Sequence, residues 1–290
     1  MRLLRISVTI PYLKKQIIDD VMSPTLTSTI SLFLYCFSAF LLFSQLKLDS
    51  NKTVVQQRWL RLLPAFIGLI IHAYSLYQSI GQTAGLDLGF FATFSLVTWL
   101  ISIQILLSII FRQIETLGIV MFPLAGLASL VSSITPTTSE HLIVVSNGTI
   151  QGHIMISVIA YSLIMLSAVQ ATLLAYQDHS IRNHNPGGFI RYIPSIHNME
   201  TLLFQLLGFG FIFLSGSLLT GFLYLEDIFA QHQTHKTILS LVAWLILGTL
   251  LFGRLQFGWR GKTAVRWTLS TFTLLMIGFF GTKLAYEFII

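Results

Sequence analysis

Long uncharged, mostly apolar stretches alternate along this chain with short polar segments, and Lys and Arg cluster in every second segment. The stretches run roughly over residues 25–46, 62–80, 88–111, 117–134, 150–176, 201–224, 237–253 and 267–286. Most reach the roughly 20 residues that a helix needs to cross about 30 Å of hydrocarbon. The pattern therefore predicts an all-α polytopic membrane protein, a bundle of about eight transmembrane helices. The seventh and eighth stretches are shorter, and they span if Arg254 and Lys283 sit at the headgroups and snorkel.

Composition changes this picture little: 54% of residues are hydrophobic and 10% charged, with a mean hydropathy of +0.78. A soluble domain carries nearer about 25% charge. The net charge of +6 is not a nucleic-acid footprint, because it is spread by topology rather than gathered on one face. Segments after helices 1, 3, 5 and 7 hold Lys47, Lys52, Arg58, Arg61, Arg112, Arg182, Arg191, Arg254, Arg260, Lys262 and Arg266, whereas those after helices 2, 4 and 6 hold Lys236. The positive-inside rule makes the first set cytoplasmic, and an even number of spans then leaves both termini extracytoplasmic.

Residues 1–21 fit this topology poorly, since Arg2, Arg5, Lys14 and Lys15 would lie outside. They read as a surface-lying extension or as sequence ahead of a start at Met22, and residues 22–290 read as one transmembrane domain. The single cysteine, Cys36, excludes an internal disulfide and a C-x-x-C-H haem-attachment motif, and reads as a small packing residue. The longest polar segment, Asp178 to Glu200, carries His179, His184 and His197 beside Asn185-Pro186-Gly187-Gly188, a composition that favours solvation over metal binding.

Candidate chemistry lies in polar residues that a bilayer tolerates only for a reason. His72 in helix 2 and His153 near the start of helix 5 fall on the same predicted outer side. An intramembrane ionisable residue is a functional candidate, but a neutral imidazole can also bond a neighbouring helix, and both readings stand for each. Glu226, Asp227, His232 and His235 sit in the short outer loop after helix 6, where solvation is the simpler reading. Lys236 follows directly, and Lys283 has Glu287 one helical turn on. Helix 6 carries Gly208, Gly210, Ser215, Gly216, Ser217, Thr220 and Gly221, a small-residue face suited to close helix packing. Trp59, Trp259 and Trp267 suit a cytoplasmic aromatic belt; Trp99 and Trp244 lie deeper, as core packing or as walls for a flat ligand.

Gly152-His153-Ile154 with Ala160-Tyr161, Glu200 through Phe204, the Gly208 to Gly221 run, His235-Lys236-Thr237 and above all Gly258-Trp259-Arg260-Gly261 resemble the cytochrome c assembly superfamily. The chain is most similar to its YpjD/HemX-like inner-membrane branch, over residues 22–290 in hydropathy and with the specific motifs in the last half. That resemblance implies a bacterial inner-membrane protein. CcsA- and CcmC-type members present haem on the outer face with a tryptophan-rich external segment flanked by two histidines. His153 falls where the first of these is expected; the second would fall at Phe252, which cannot ligate iron. Tyr224 to Lys236, in place of the tryptophan-rich segment, contains no Trp, so presentation to apocytochrome does not follow.

What the resemblance leaves is a haem site of different construction: His72 and His153 as imidazole ligands, Phe- and Leu-rich helices as the slot, and Lys236 or Lys283 for the propionates. The alternative is a cofactor-free accessory or regulatory subunit bound to a membrane-protein partner such as an ion transporter or a haem-biosynthesis enzyme. The lipid bilayer is a partner in either case. No nucleophile with an adjacent base, paired carboxylates or phosphate loop marks the chain as an enzyme.

Overall fold

The computed structural model describes residues 23–47, 54–82, 85–87, 89–111, 115–135, 142–143, 148–183, 193–224 and 234–281. Its helices are α1 (Pro24–Lys47), α2 (Val54–Ile80), α3 (Phe90–Phe111), α4 (Glu115–Ile134), α5 (Gly148–Arg182), α6 (Ile196–Tyr224), α7 (Thr234–Phe257) and α8 (Lys262–Met276), the last extended by a π-helical turn, Ile277–Gly281. Three very short strands, β1 (Gly81–Gln82), β2 (Gly85–Asp87) and β3 (Leu142–Ile143), interrupt the all-α architecture, and β1 pairs with β2 as an antiparallel hairpin. Helices α1 to α7 are long and apolar enough to cross a membrane. The eighth expected span begins earlier than its apolar pattern suggested, at Lys262, and its α-helical part is only 15 residues. Lys283, Glu287, Glu226, Asp227, His232, His184 and the first 22 residues lie outside the described residues, and so does the His235 side chain.

Two compact units divide the chain. The first comprises residues 1–95 and 119–142, hence α1, α2, the start of α3 and most of α4. Its α1 is built inside out. Ser28, Ser31, Tyr35 and Ser38 recur three to four residues apart and are completely buried, whereas Phe33 and Phe40 on the other side are 68% and 64% exposed. A helix in lipid has no need to hide its apolar face, so polar and small groups are turned to its neighbours instead. Ser28 Oγ lies 2.6 Å from Ser75 Oγ of α2 and accepts from Ser129 Oγ of α4, while Ser31 and Ser38 donate to the Gly68 and Arg61 carbonyls. The second of these bonds falls beside Pro64, whose missing N–H leaves the α2 ladder one donor short. A Cβ at Gly126 would stand 2.7 Å from Leu32 Cα, so α4 approaches α1 at backbone range. Cys36 is exposed on α1 rather than packed inside.

The second unit comprises residues 96–118 and 143–290, with α5 to α8 complete. Ala160, Ile164, Ala171, Leu203, Leu207, Leu214, Leu247, Leu250 and Leu275 form its buried core. Part of the helix 6 small-residue face serves this packing: a Cβ at Gly210 would touch Ile164 at 3.0 Å, whereas one at Gly208 would meet open space. Gln170 and Gln177 of α5 donate to the Met199 and Pro194 carbonyls at the start of α6, which fixes α5 and α6 as antiparallel neighbours.

Candidate functional site

The second unit has two chemically different ends. One is closed by Gly258-Trp259-Arg260-Gly261, the turn between α7 and α8. Gly258 and Gly261 have φ of +65° and +57°, a left-handed backbone that glycine adopts without a Cβ penalty. Trp259 folds back over Gly253, where an added Cβ would run into the indole, and the Trp259 backbone N–H is donated to the Gly253 carbonyl. Arg254 lies over the Phe204 ring and donates to the Trp259 carbonyl. Buried Glu200 of α6 accepts the Gly261 N–H at 2.8 Å, a charge-assisted cap on the first turn of α8. Two separate pieces of the sequence motif thus meet. Arg182, Arg254, Arg260, Lys262 and Arg266 all belong to this end, and Trp259 and Trp267 pack together beside them at 5.3 Å.

His153 stands at the opposite end, on the first turns of α5. Its Nδ1 is 3.0 Å from Thr220 Oγ1 of α6. One turn on, Ser157 Oγ donates to the His153 carbonyl at 2.7 Å and lies 2.7 Å from Ser217 Oγ. Thr220 Oγ1 also donates to the Gly216 and Ser217 carbonyls, at 2.8 and 3.0 Å. The Thr220 hydroxyl proton has three acceptors within reach, these two carbonyls and Nδ1. With that proton on either carbonyl of its own helix, the Thr220 oxygen meets the imidazole as an acceptor. In that arrangement Nδ1 carries the hydrogen. In a neutral ring that arrangement leaves the lone pair on Nε2, and the imidazole also has the Ser217 backbone within hydrogen-bonding reach. By the same count Ser157 spends its proton on the His153 carbonyl, and Ser217 donates to Ser157.

Farther along α5, Tyr161 reaches Ser240 Oγ of α7 at 3.5 Å and packs against Phe279 of the π turn. Lys236, one turn before Ser240, is half-buried and is the one described cation of the second unit at this end. Phe252 is not here. It lies 16 residues, roughly 24 Å, along α7 from Lys236, toward the Gly258 turn. Trp244 donates its Nε1 hydrogen to Ser215 Oγ at 2.7 Å and stacks on Phe211, so it is a packing residue of α6 and α7.

His72 belongs to the first unit and is completely buried. Its Nε2 is 2.9 Å from Ser95 Oγ, and the Tyr35 ring meets it edge-on at 5.9 Å. Its Nδ1 has no hydrogen-bond partner among the described residues. In the long polar segment, His179 and His197 are exposed. Among the described residues no group of three or more His, Cys, Asp or Glu is placed to hold a metal ion.

The Cytochrome C assembly protein family matches residues 59–290, which include α5 to α8 and both ends of the second unit. The chain belongs to this family. It is 28% identical over 137 residues to Inner membrane protein YpjD of Escherichia coli (strain K12), covering 47% of this chain and 52% of that protein. An uncharacterized 28.8 kDa protein of Azospirillum brasilense is 32% identical over 133 residues, 45% of this chain and 49% of that one. Cytochrome c biogenesis protein CcsA of Chlamydomonas reinhardtii is 23% identical over 137 residues, 47% of this chain and 38% of that protein. The matches thus span about half or less of these relatives' length. No solved structure matches the chain.

His153 was visible in the sequence; its supporting residues were not. Ser157 one turn on and Thr220 within the small-residue run were the available signals, but neither names its partner. Glu200 lay in a motif piece without an evident reason until Gly261 was found opposite it.

Proposed function

We propose that this family member is a non-enzymatic, haem-handling protein of the bacterial inner membrane, acting in cytochrome c biogenesis or haem homeostasis, with His153 as its iron ligand. The observation that carries the reading is the half-buried His153 imidazole at this end of the second unit, held through Nδ1 by Thr220 of the neighbouring helix. Haem supplies an iron that takes imidazole nitrogen and a flat apolar macrocycle with anionic propionates. His153 would hold the iron, and Lys236 at the same end would pair with a propionate. His72 has no exposed surface and is enclosed by Tyr35 and Ser95, so the proposal rests on His153. The relative named for cytochrome c biogenesis and the family's own description point the same way.

Charge gives the orientation. The Arg- and Lys-rich end belongs in the cytoplasm, which puts His153 and Lys236 near the outer face and both chain termini on the outer side. The test is a titration of the purified full-length protein in lipid nanodiscs with haem, followed by the Soret band. Saturable binding that His153→Ala removes supports the reading. Equal binding by that variant, or none by the parent protein, refutes it.

A further inference from the structure

Hydroxyls that bond a histidine usually leave its tautomer open, because the hydroxyl can donate or accept. Thr220 has two acceptors of its own beside the imidazole. The Gly216 and Ser217 carbonyls of its own helix lie 2.8 and 3.0 Å from its oxygen, and a proton directed to either leaves that oxygen to accept from Nδ1 of His153. The backbone around His153 is held as well: the Ser157 hydroxyl takes the His153 carbonyl, and Ser217 closes the link back to α6. The circuit from Ser217 through Ser157 and His153 to Thr220 can be closed with every hydroxyl proton used once. Closed that way, the circuit leaves the imidazole lone pair on Nε2.

We propose that Thr220 is a positioning residue that holds His153 in its Nδ1–H tautomer and so sets the iron affinity and the reduction potential of the site. This deepens, and rests on, the reading of His153 as an iron ligand. An imidazole that donates from Nδ1 is a stronger electron donor through Nε2, because the bond shifts charge onto the ring, and its orientation is fixed before the metal arrives. Stronger donation stabilises ferric over ferrous iron. The preferred ligand of this site is therefore an iron porphyrin in its oxidised state.

Thr220→Val keeps the shape of the side chain and removes the acceptor; Thr220→Ser restores an oxygen that can bond the same carbonyls. Both are to be compared with the parent protein and His153→Ala in nanodiscs, by ferric haem titration and spectroelectrochemistry. Thr220→Val is expected to lower ferric haem affinity about 10- to 100-fold and to raise the midpoint potential of what remains bound, and Thr220→Ser to return both toward the parent values. Thermal unfolding of the haem-free proteins separates a folding defect from a ligand defect. Loss of haem binding in His153→Ala with no change of affinity or potential in Thr220→Val would overturn the role of Thr220 and leave the iron ligand standing. Unchanged binding in His153→Ala would instead overturn the ligand.

Discussion

His72 and His153 are both imidazoles set among apolar helix residues, and the two units treat them oppositely. In the first unit the ring is walled in, with Ser95 on one nitrogen and Tyr35 against its edge. In the second unit the ring is half-buried, and a neighbouring helix holds its Nδ1 through Thr220. An intramembrane histidine is thus not a functional signal by itself. Each ring has one nitrogen bonded to a hydroxyl, and what separates them is access: His72 is completely buried, whereas His153 is half-buried.

The sharpest way to break this contrast is to remove each ring in turn. His153→Ala is expected to reduce haem affinity at least about 100-fold, about 3 kcal/mol, with His72→Ala unchanged, measured by Soret titration. Equal losses in the two variants would erase the distinction. His72→Ala should act on stability instead, lowering it by about 2 kcal/mol, because it empties a fully packed position; the check is thermal unfolding of the haem-free protein. Glu200→Ala tests the other end of the second unit. Loss of the carboxylate leaves the Gly261 N–H without its acceptor and should destabilise the protein by about 1–2 kcal/mol with haem affinity unaltered. The smallest effect belongs to Lys236→Gln, for which a few-fold weaker affinity for haem and none for its dimethyl ester is expected, since a single partly solvated ion pair contributes about 1 kcal/mol or less.

Much of the architecture was legible before the fold was known. Uncharged runs bounded by Arg and Lys mark α1 to α7 closely, because hydrocarbon excludes charge and demands complete backbone hydrogen bonding within each segment. α8 was less legible. Its first turns carry Lys262 and Arg266, so hydropathy places its start several residues late. The polar face of α1 was not readable either, since serines at helical spacing look alike whether they face lipid, a loop or Ser75 and Ser129. Trp244 shows the same limit. Its depth was apparent, but that Ser215 and Phe211 occupy its polar and flat faces is a property of α6 packing on α7.

The sequence by itself determined the helices, the asymmetry of charge between alternate loops, the family and the prominence of His153, because each follows from local composition or from a contiguous motif. Tertiary structure alone decided that Thr220 and Ser217 meet the first turns of α5, that Glu200 caps α8 from another helix, and that Phe252 lies toward the far end of the second unit from His153. The physical reason is that a hydrogen bond depends on where a proton already is and which oxygen lies within about 3 Å of it. Residues 67 positions apart acquire that relation only when two helices pack.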